Sequence, residues 1–331
     1  MKKIKIAQIG TSTNSHGNFI FNSLKKQSDI FEVVGFSFPE NERSKYPERM
    51  NYFEGYTELT VDEILSNPEI EAVTVETEEC YLTKYALMAA EHGKHIHMEK
   101  PGGTLLSDFE KLISVMKKTG KVFHTGYMYR YNPYVIELMN KIKRGELGEI
   151  ISVEAQMNCF HTKEQRNWLE NYKGGSLFFL GCHMIDLILQ IKGTPKKIIP
   201  LSKSTGIDGT KSEDFGMAVL EYNNGVSFAK VNSNEIGGFA RRQLVVSGTK
   251  GTVELKPLEM FAGNGQFTTK TEYTSAADWS DRGKTSDSPV HDRYDAMMLS
   301  FAEMVCGEKQ NPYTYDYELE LYKTILRCCG I

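Results

Sequence analysis

The feature that most constrains the fold is the alternation of strand and helix patterns over roughly the first 125 residues. Apolar, β-branched stretches at 3–9 and 31–38 alternate with stretches such as 17–26, where apolar residues recur at helical spacing. Gly93 and Gly120 stand where predicted helices end. Such alternation is typical of right-handed βαβ units that form a parallel sheet, with a ligand at the carboxyl ends of the strands.

The pattern changes after about residue 150. Hairpin turns are predicted at 223–225 and 249–251, and 261–290, rich in Gly, Ser, Thr and Asp, is predicted to be a long surface loop. Two helices are predicted near 294–305 and 317–328. Longer strands are predicted at 149–160, 212–221, 226–234, 241–247 and 252–255. The sequence therefore predicts an α/β domain with a parallel sheet over residues 1–125. An α+β domain with a mostly antiparallel open sheet follows over 126–331, and its terminal helix could return to the first domain.

The composition of the chain limits the kinds of partner that it can be expected to bind. A net charge of -4 gives no overall attraction to nucleic acid or to an anionic membrane. No apolar run approaches the roughly 18–20 residues that span a bilayer, and the chain enters a strand at once without a signal-peptide pattern. The six cysteines have no CxxC pair or zinc spacing, which suggests a reducing compartment. We expect a cytoplasmic protein with a small-molecule partner, and neither a nucleic acid nor a membrane.

The turn after the first strand is a candidate phosphate site. In dinucleotide folds this turn presents backbone N–H groups and a helix dipole to a pyrophosphate. Only Gly10 of the usual glycine pattern is present, although the hydroxyls of Thr11 and Ser12 could supplement the backbone donors. The motif alone therefore supports a cofactor site and an ordinary βα turn about equally.

The end of the second strand bears on the choice of cofactor. An Asp or Glu there normally binds the adenosine ribose. Here Ser37 stands near the expected place, with Arg43 and Lys45 close in sequence. A serine with two basic residues nearby suits a 2′-phosphate better than an acidic residue at that place would. The arrangement therefore weakly favours NADP over NAD.

One motif decides the family. Met98-Glu99-Lys100-Pro101, at the end of an apolar strand, resembles the corresponding segment of the Gfo/Idh/MocA oxidoreductases, and the resemblance covers nearly the whole chain. It implies a Rossmann domain, a substrate domain whose open sheet often forms an oligomer interface, NAD or NADP, and hydride transfer with a carbohydrate or polyol. Further similar segments lie at 89–95, 126–133, 145–148, 174–177, 181–186, 248–252 and 311–312.

The resemblance also implies roles for individual residues. His183 would be the base, since histidine titrates near the working pH, and Lys100 would hydrogen-bond the reacting oxygen and stabilise its negative charge. The structural alternatives are a core histidine and a surface lysine. The predicted cofactor-binding residues are Gly10, Thr11, Ser12, His16, Ser37, Thr77, Glu99, Lys100 and Arg130. The predicted substrate residues are Tyr127, Asn158, Trp168 and His183.

Two of the substrate residues are of types that suit a sugar. An aromatic ring such as that of Trp168 stacks on sugar faces, and an amide such as that of Asn158 binds hydroxyls. Core packing is an equally supported role for Trp168. His161 is a further candidate from its position at the end of the same strand as Asn158.

Two departures from the family pattern leave alternatives open. Phe179 stands where the family usually has an Asp, four residues before His183 and on the same face of a regular helix. The proton relay could run through His183 alone, through Asp186 or through another carboxylate, or dehydrogenase chemistry could be lost. A capping or structural bond is the favoured role for Asp186.

The second departure is the segment Glu76-Thr77-Glu78-Glu79, which replaces a Thr-Pro-Asn turn. Its acids could bind a cation or a substrate amine, but matching metal ligands are missing from the pattern, so no metal is predicted. We expect a solvated loop with one carboxylate near the nicotinamide.

Three functions remain open from the sequence. The favoured one is an NAD(P)-dependent dehydrogenase or reductase of a sugar, inositol or related polyol, assembled as a homodimer or homotetramer. The alternatives are a non-redox protein that binds a dinucleotide or a sugar, and a lyase or glycosidase that oxidises its substrate transiently with bound NAD.

Overall fold

The computed structural model describes residues 2–279 and 283–331. The chain divides into two compact units. The first unit contains the chain up to Met128 together with Tyr294–Tyr322, and the second contains Tyr129–Arg293 together with Lys323–Ile331. Each unit is built around its own sheet.

The first unit contains a five-stranded sheet whose strands are all parallel, in the order β2-β1-β3-β4-β5. The predicted parallel sheet is confirmed. The strands are β1 (Ile4–Ile9), β2 (Phe31–Ser37), β3 (Ala72–Val75), β4 (His95–Met98) and β5 (Phe123–Thr125). The strand order reverses between β1 and β3, so the loops after these two strands form the switch point where ligands bind in sheets of this class.

The helices of this unit follow the expected sequence signals. Helix α3 begins with a capping box, in which Thr60 and Glu63 exchange side-chain and backbone hydrogen bonds. Helix α5 ends at Gly120 in the left-handed conformation. The helices are α1 (Gly17–Lys26), α2 (Glu42–Lys45), α3 (Val61–Ser66), α4 (Leu82–Glu91), α5 (Leu106–Thr119) and α9 (Asp295–Val305), and the unit boundary falls within α10 (Tyr315–Cys328).

The second unit contains an eight-stranded sheet in the order β15-β14-β11-β10-β6-β9-β8-β7. Only the β6–β9 pair is parallel, so the mostly antiparallel sheet is confirmed. The helices are α6 (Pro133–Lys143), α7 (Lys163–Trp168) and α8 (Cys182–Lys192), and α8 packs on β6 and β9. The strands are β6 (Ile150–Gln156), β7 (Lys197–Pro200), β8 (Phe215–Tyr222), β9 (Gly225–Asn232), β10 (Gln243–Gly248), β11 (Thr252–Leu255), β12 (Met260–Gly263), β13 (Gln266–Thr268), β14 (Lys270–Thr274) and β15 (Lys284–Asp287).

The prediction of a long surface loop over 261–290 is wrong for half of that stretch, which forms strands. Strand β14 pairs with β11, β15 pairs with β14, and β12 and β13 form a separate hairpin. The Thr and Tyr residues of β14 suit a strand, but their half-buried, polar composition hid the period-two pattern. Residues 280–282 of the predicted loop lie outside the described residues.

None of the helices within residues 2–279 and 283–331 is long and apolar enough to cross a bilayer.

Candidate active site

The turn after β1 requires a glycine at its first position. Gly10 adopts a φ of +89°, and its N–H donates to the carbonyl of Ser37 at 2.8 Å. A Cβ at Gly10 would lie 2.5 Å from Thr77 Cγ2 and 2.7 Å from Thr77 N. The loops after β1 and β3 therefore touch at the switch point, and Thr77 lies beside Gly10.

We expect Gly10→Ala to destabilise the protein more than Gly55→Ala. Both positions have positive φ, but a Cβ at Gly55 meets nothing within 4 Å. Gly55→Ala should cost about 1 kcal/mol from its left-handed conformation, and Gly10→Ala about 1–3 kcal/mol more from overpacking. Urea unfolding of the two variants measures the difference; equal losses would show that the close approach at Gly10 is unimportant.

Two backbone N–H groups of this loop donate to acidic side chains. Thr11 N donates to Glu42 Oε2 at 2.8 Å, and His16 N donates to Glu99 Oε2 at 3.1 Å. Ser12 N donates to the carbonyl of Glu76 at 3.0 Å. The buried hydroxyl of Thr11 has no hydrogen-bond partner within the described residues. A dinucleotide fits this turn, since Thr11 has a hydroxyl to offer and helix α1 starts at Gly17.

The basic residues near Ser37 have other partners. Ser37 is buried at the end of β2. Arg43 pairs with Glu58, and its guanidinium lies 5.3 Å from the Phe38 ring centroid. Lys45 Nζ lies 5.9 Å from the centroid of the Tyr81 ring. The arrangement thus gives no built cationic site around Ser37 among the described residues.

Lys100 follows β4 and is a buried residue, which excludes the surface-lysine alternative. It is 1% exposed, and its Nζ lies 3.7 Å from Glu99 Oε1. The second oxygen of Glu99 lies 2.9 Å from His16 Nδ1. Burial alone would raise the pKa of Glu99, but the charges of His16 and Lys100 and the hydrogen bonds from His16 hold it well below its usual range. The structure therefore brings His16, Glu99 and Lys100 into one charged group at the carboxyl edge of the sheet.

The expected solvated loop at 76–79 is wrong for two of its three acids. Glu76 is 0% exposed and Glu79 is 1% exposed. Burial, and for Glu76 also the charge of Glu99, raises the pKa of both carboxyls, that of Glu79 to about 8. The loop lies over the sheet edge rather than in water, and these carboxyls hold their protons more tightly than exposed acids do. Within 2–279 and 283–331 no group of three or more His, Cys, Asp or Glu could hold a metal ion.

The raised pKa of Glu79 predicts a pH-dependent stability. Between pH 4.5 and about 8 the unfolded state has released a proton that the folded state keeps, so the free energy of unfolding falls as pH rises through this window. Glu79→Gln removes this titration. Its stability relative to the parent should rise by a few kcal/mol from pH 5 to pH 8.

Chemical denaturation at several pH values tests this, with the exposed Glu54→Gln as the control that shows no such trend. A pH-independent difference between Glu79→Gln and the parent would contradict it.

His183 lies in the second unit on α8. It is 1% exposed, and its ring packs edge-on against Tyr129 with centroids 5.3 Å apart. The Tyr129 hydroxyl donates to Glu259 Oε2 at 2.6 Å, and Arg242 and Arg293 bind the same carboxylate. This network fixes the surface against which the imidazole rests.

Phe179 and His183 do not belong to one regular α-helix, contrary to the prediction from sequence, because Phe179 lies in a π-helical turn. A π-helical turn, Leu177–Gly181, precedes α8 and changes the residue spacing. The Phe179 ring packs against Trp168 at 5.1 Å, edge to face, whereas His183 packs against Tyr129. Trp168 therefore has the core contact that was one of its two predicted roles.

Asp186 forms a buried ion pair with Arg130. Arg130 Nε and Nη2 donate to the two carboxylate oxygens at 2.9 and 2.8 Å, and both side chains are 1% exposed. Gln190 Nε2 also donates to Asp186 at 2.8 Å. The structural bond favoured for Asp186 is thus present, and the cofactor role of Arg130 stays a prediction.

The other predicted substrate residues are fixed by hydrogen bonds. Asn158 Oδ1 accepts from Asn232 N at 3.1 Å, and Tyr127, in the first unit, reaches the carbonyl of Pro101 at 3.5 Å. The N–H of His161 donates to the carbonyl of Ser233. Sequence reasoning missed Glu42 and Glu259. Glu42 lies beyond the place where a ribose-binding acid is sought, and Glu259 lies within a stretch that has no recognisable motif.

Two family models match this chain. The model described as "Oxidoreductase family, NAD-binding Rossmann fold" (GFO_IDH_MocA) matches residues 4–127. The model described as "GFO/IDH/MocA C-terminal domain" matches residues 135–254. The two ranges cover most of the chain and follow one another in the order of a single family.

Individual proteins are similar at lower identity. A 2,7-anhydro-N-acetylneuraminate hydratase of Escherichia coli is 23% identical over 59% of this chain and 54% of its own length. The scyllo-inositol 2-dehydrogenase (NADP(+)) IolW of Bacillus subtilis is 27% identical over 42% and 39%. The chain thus spans about half of these relatives or less. The crystal structure of an aldose-aldose oxidoreductase from Caulobacter crescentus, complexed with glycerol, matches 99% of this chain and 98% of its own, with a TM-score of 0.79 and 20% identity.

Proposed function

The chain belongs to the Gfo/Idh/MocA family of oxidoreductases, and from this membership we propose that it transfers a hydride between NAD or NADP and a hydroxyl-bearing carbon of a sugar, inositol or related polyol. The observation that carries the proposal is the buried Lys100, paired with Glu99 and His16 beside the loops at the switch point of the parallel sheet. A buried ammonium at that place can stabilise negative charge on a bound ligand, whereas a surface lysine would be solvated by water.

The chain's own groups would supply binding and proton chemistry. The bound nicotinamide accepts or delivers the hydride. Lys100 would donate a hydrogen bond to the reacting oxygen and stabilise negative charge as it develops there. Glu99 balances the charge of the ammonium in a site that is shielded from water. His183 remains the proposed base for the hydroxyl proton.

The proposed substrate class has two supports. One is the printed names of the relatives, which include an inositol dehydrogenase and an aldose-aldose oxidoreductase. The other is the set of proposed substrate residues, in which an indole ring and an amide offer a stacking face and hydroxyl partners. Trp168 and Asn158 therefore stay proposed contacts to substrate, together with Tyr127 and His183.

We also propose a homo-oligomer and a cytoplasmic location. Apolar side chains at the ends of strands and turns of the second unit are exposed, among them Ile151 and Val226, and surfaces of this kind mark association sites when they are contiguous. None of the six cysteines, all of which lie within the described residues, forms a disulfide, and this suits a reducing compartment.

A second function has a specific observation in its favour. The aromatic Phe179 stands where the family usually has an acid, and one similar protein is named a hydratase. Transient oxidation by a bound dinucleotide, followed by elimination or hydration and then re-reduction, would need no net change in the cofactor.

The test is to incubate purified protein with NAD+ or NADP+ and a panel of inositols, aldoses and anhydro sugars. We expect reduced nicotinamide to accumulate with at least one polyol. New sugar product without reduced nicotinamide would favour the second function. Dinucleotide binding with no product from any compound would contradict both and favour a non-redox binding protein.

A further inference from the structure

We propose that Glu42 is the acceptor for the adenosine ribose and makes this chain selective for NAD over NADP. The inference rests on the proposed function, since it concerns the dinucleotide of the same site. It moves the ribose-binding role from Ser37, at the end of β2, to the first residue of α2.

The side chain of Glu42 reaches the loop that follows β1. Glu42 is 2% exposed, and its Oε2 accepts the N–H of Thr11 at 2.8 Å. Its other oxygen, Oε1, is buried and has no hydrogen-bond partner within the described residues, and the same is true of the adjacent Thr11 hydroxyl. Two unsatisfied polar atoms therefore belong to two residues that are joined by a hydrogen bond, directly after Gly10 in the loop. Unsatisfied buried groups are costly, and a bound ligand is one of the ordinary explanations for them.

A ribose is the part of a dinucleotide that suits these groups. In folds of this class, an acid after the second strand binds the ribose hydroxyls, while the pyrophosphate lies at the start of the first helix. Ser37 occupies the standard place, but it offers a hydroxyl and no carboxylate. Glu42 comes from the next element, yet its carboxyl lies against the same loop. A ribose hydroxyl can donate to Oε1 of Glu42 and accept from the hydroxyl of Thr11.

A 2′-phosphate would meet an unfavourable environment at this place. Burial raises the pKa of Glu42 to about 8, against the lowering effect of the Thr11 hydrogen bond, and the charges of Glu78 and Glu40 raise it further. A carboxyl that resists ionisation has no surplus of positive charge around it. The charge of Lys45 lowers the pKa of Glu42, and Arg43 is paired with Glu58. A hydroxyl can bond to the carboxyl in either protonation state, whereas a phosphate dianion would be repelled by the ionised form.

Calorimetric titration with NAD+ and with NADP+ tests the inference on the whole protein, its Glu42→Gln variant and its Glu42→Ala variant. We expect the parent to bind NAD+ at least about tenfold more tightly than NADP+, since a 2′-phosphate removes the ribose hydroxyl that bonds to Oε1 and brings charge to a buried carboxyl. Glu42→Gln keeps an oxygen that can accept from Thr11 N, so the fold and NAD+ binding should persist while the discrimination falls about tenfold. Glu42→Ala should weaken NAD+ binding as well.

Glu54→Gln is the control. Glu54 is exposed in the same unit, so this variant should keep the parent's preference. Equal or tighter binding of NADP+ by the parent, or an unchanged ratio in Glu42→Ala, overturns the role of Glu42 and leaves hydride transfer standing. Failure of the parent to bind either dinucleotide overturns the proposed function and this inference together.

Discussion

Replacing Lys100 with methionine is expected to lower kcat by about 10²–10⁴-fold while the affinity for the dinucleotide changes only a few-fold. The expected size is that of a lost charge stabiliser or proton donor in a water-excluded site. Methionine has nearly the length of the lysine stem, so it fills the buried volume without the ammonium group. Glu99, Glu76 and Glu79 would then lose a neighbouring cation, and some of them would take up protons rather than stay charged.

Steady-state kinetics on the best polyol, with calorimetric binding of the dinucleotide, measures this effect. Lys111→Met is the control, because that lysine is exposed and pairs with Glu91 on the outside of the first unit. It should leave both quantities unchanged. A Lys100→Met variant that turns over within tenfold of the parent would remove Lys100 from the chemistry, and the proposed mechanism would lose its main group.

Breaking the ion pair between Arg130 and Asp186 should destabilise the second unit by about 3–5 kcal/mol. In Asp186→Ala the guanidinium of Arg130 stays buried but loses the two carboxylate oxygens that accept from its Nε and Nη2. The buried charge without this compensating carboxylate, more than the lost attraction, is the source of the cost. Removing both partners, as in Arg130→Met with Asp186→Leu, should recover part of the loss because neither buried charge remains.

Urea unfolding of the single and double variants measures these free energies. The surface pair of Arg144 and Glu146 is the control, since both side chains are partly exposed, and Glu146→Ala should cost no more than about 1 kcal/mol. Equal losses for Asp186→Ala and Glu146→Ala would show that the buried pair is unimportant to stability. A double variant less stable than either single one would contradict the explanation from an isolated charge.

The first unit could be predicted from sequence because its signals are local. Apolar strands, helical periodicity and glycines such as Gly120 mark each element separately, and the order of elements then fixes a parallel sheet. The strands at the edge of the sheet in the second unit were harder to predict. Strands β14 and β15 are polar, and they belong to the sheet only because β11 is there to pair with them, a long-range condition that composition does not reveal.

Sequence reasoning identified the site residues that belong to a recognisable motif. It did not identify those whose role depends on tertiary contacts. Glu99 and Lys100 stand in a recognisable segment and lie together, as a local motif implies. Glu42 gains its importance only because the loop after β1 brings Thr11 to it, across 31 positions of sequence. The same limit explains the error at Glu76 and Glu79, since acidic residues in a loop are usually exposed and only packing against the sheet edge buries them.

We propose that a hydride passes between a polyol carbon and the nicotinamide of a dinucleotide held beside Lys100. An inositol or sugar deuterated at its hydroxyl-bearing carbons tests this, with the label followed by mass spectrometry of the recovered dinucleotide. We expect the parent to place one deuterium in the reduced nicotinamide, and Lys100→Met to do so more slowly in proportion to its lower kcat. A dinucleotide that binds yet never acquires the label, with every member of the panel, would contradict it.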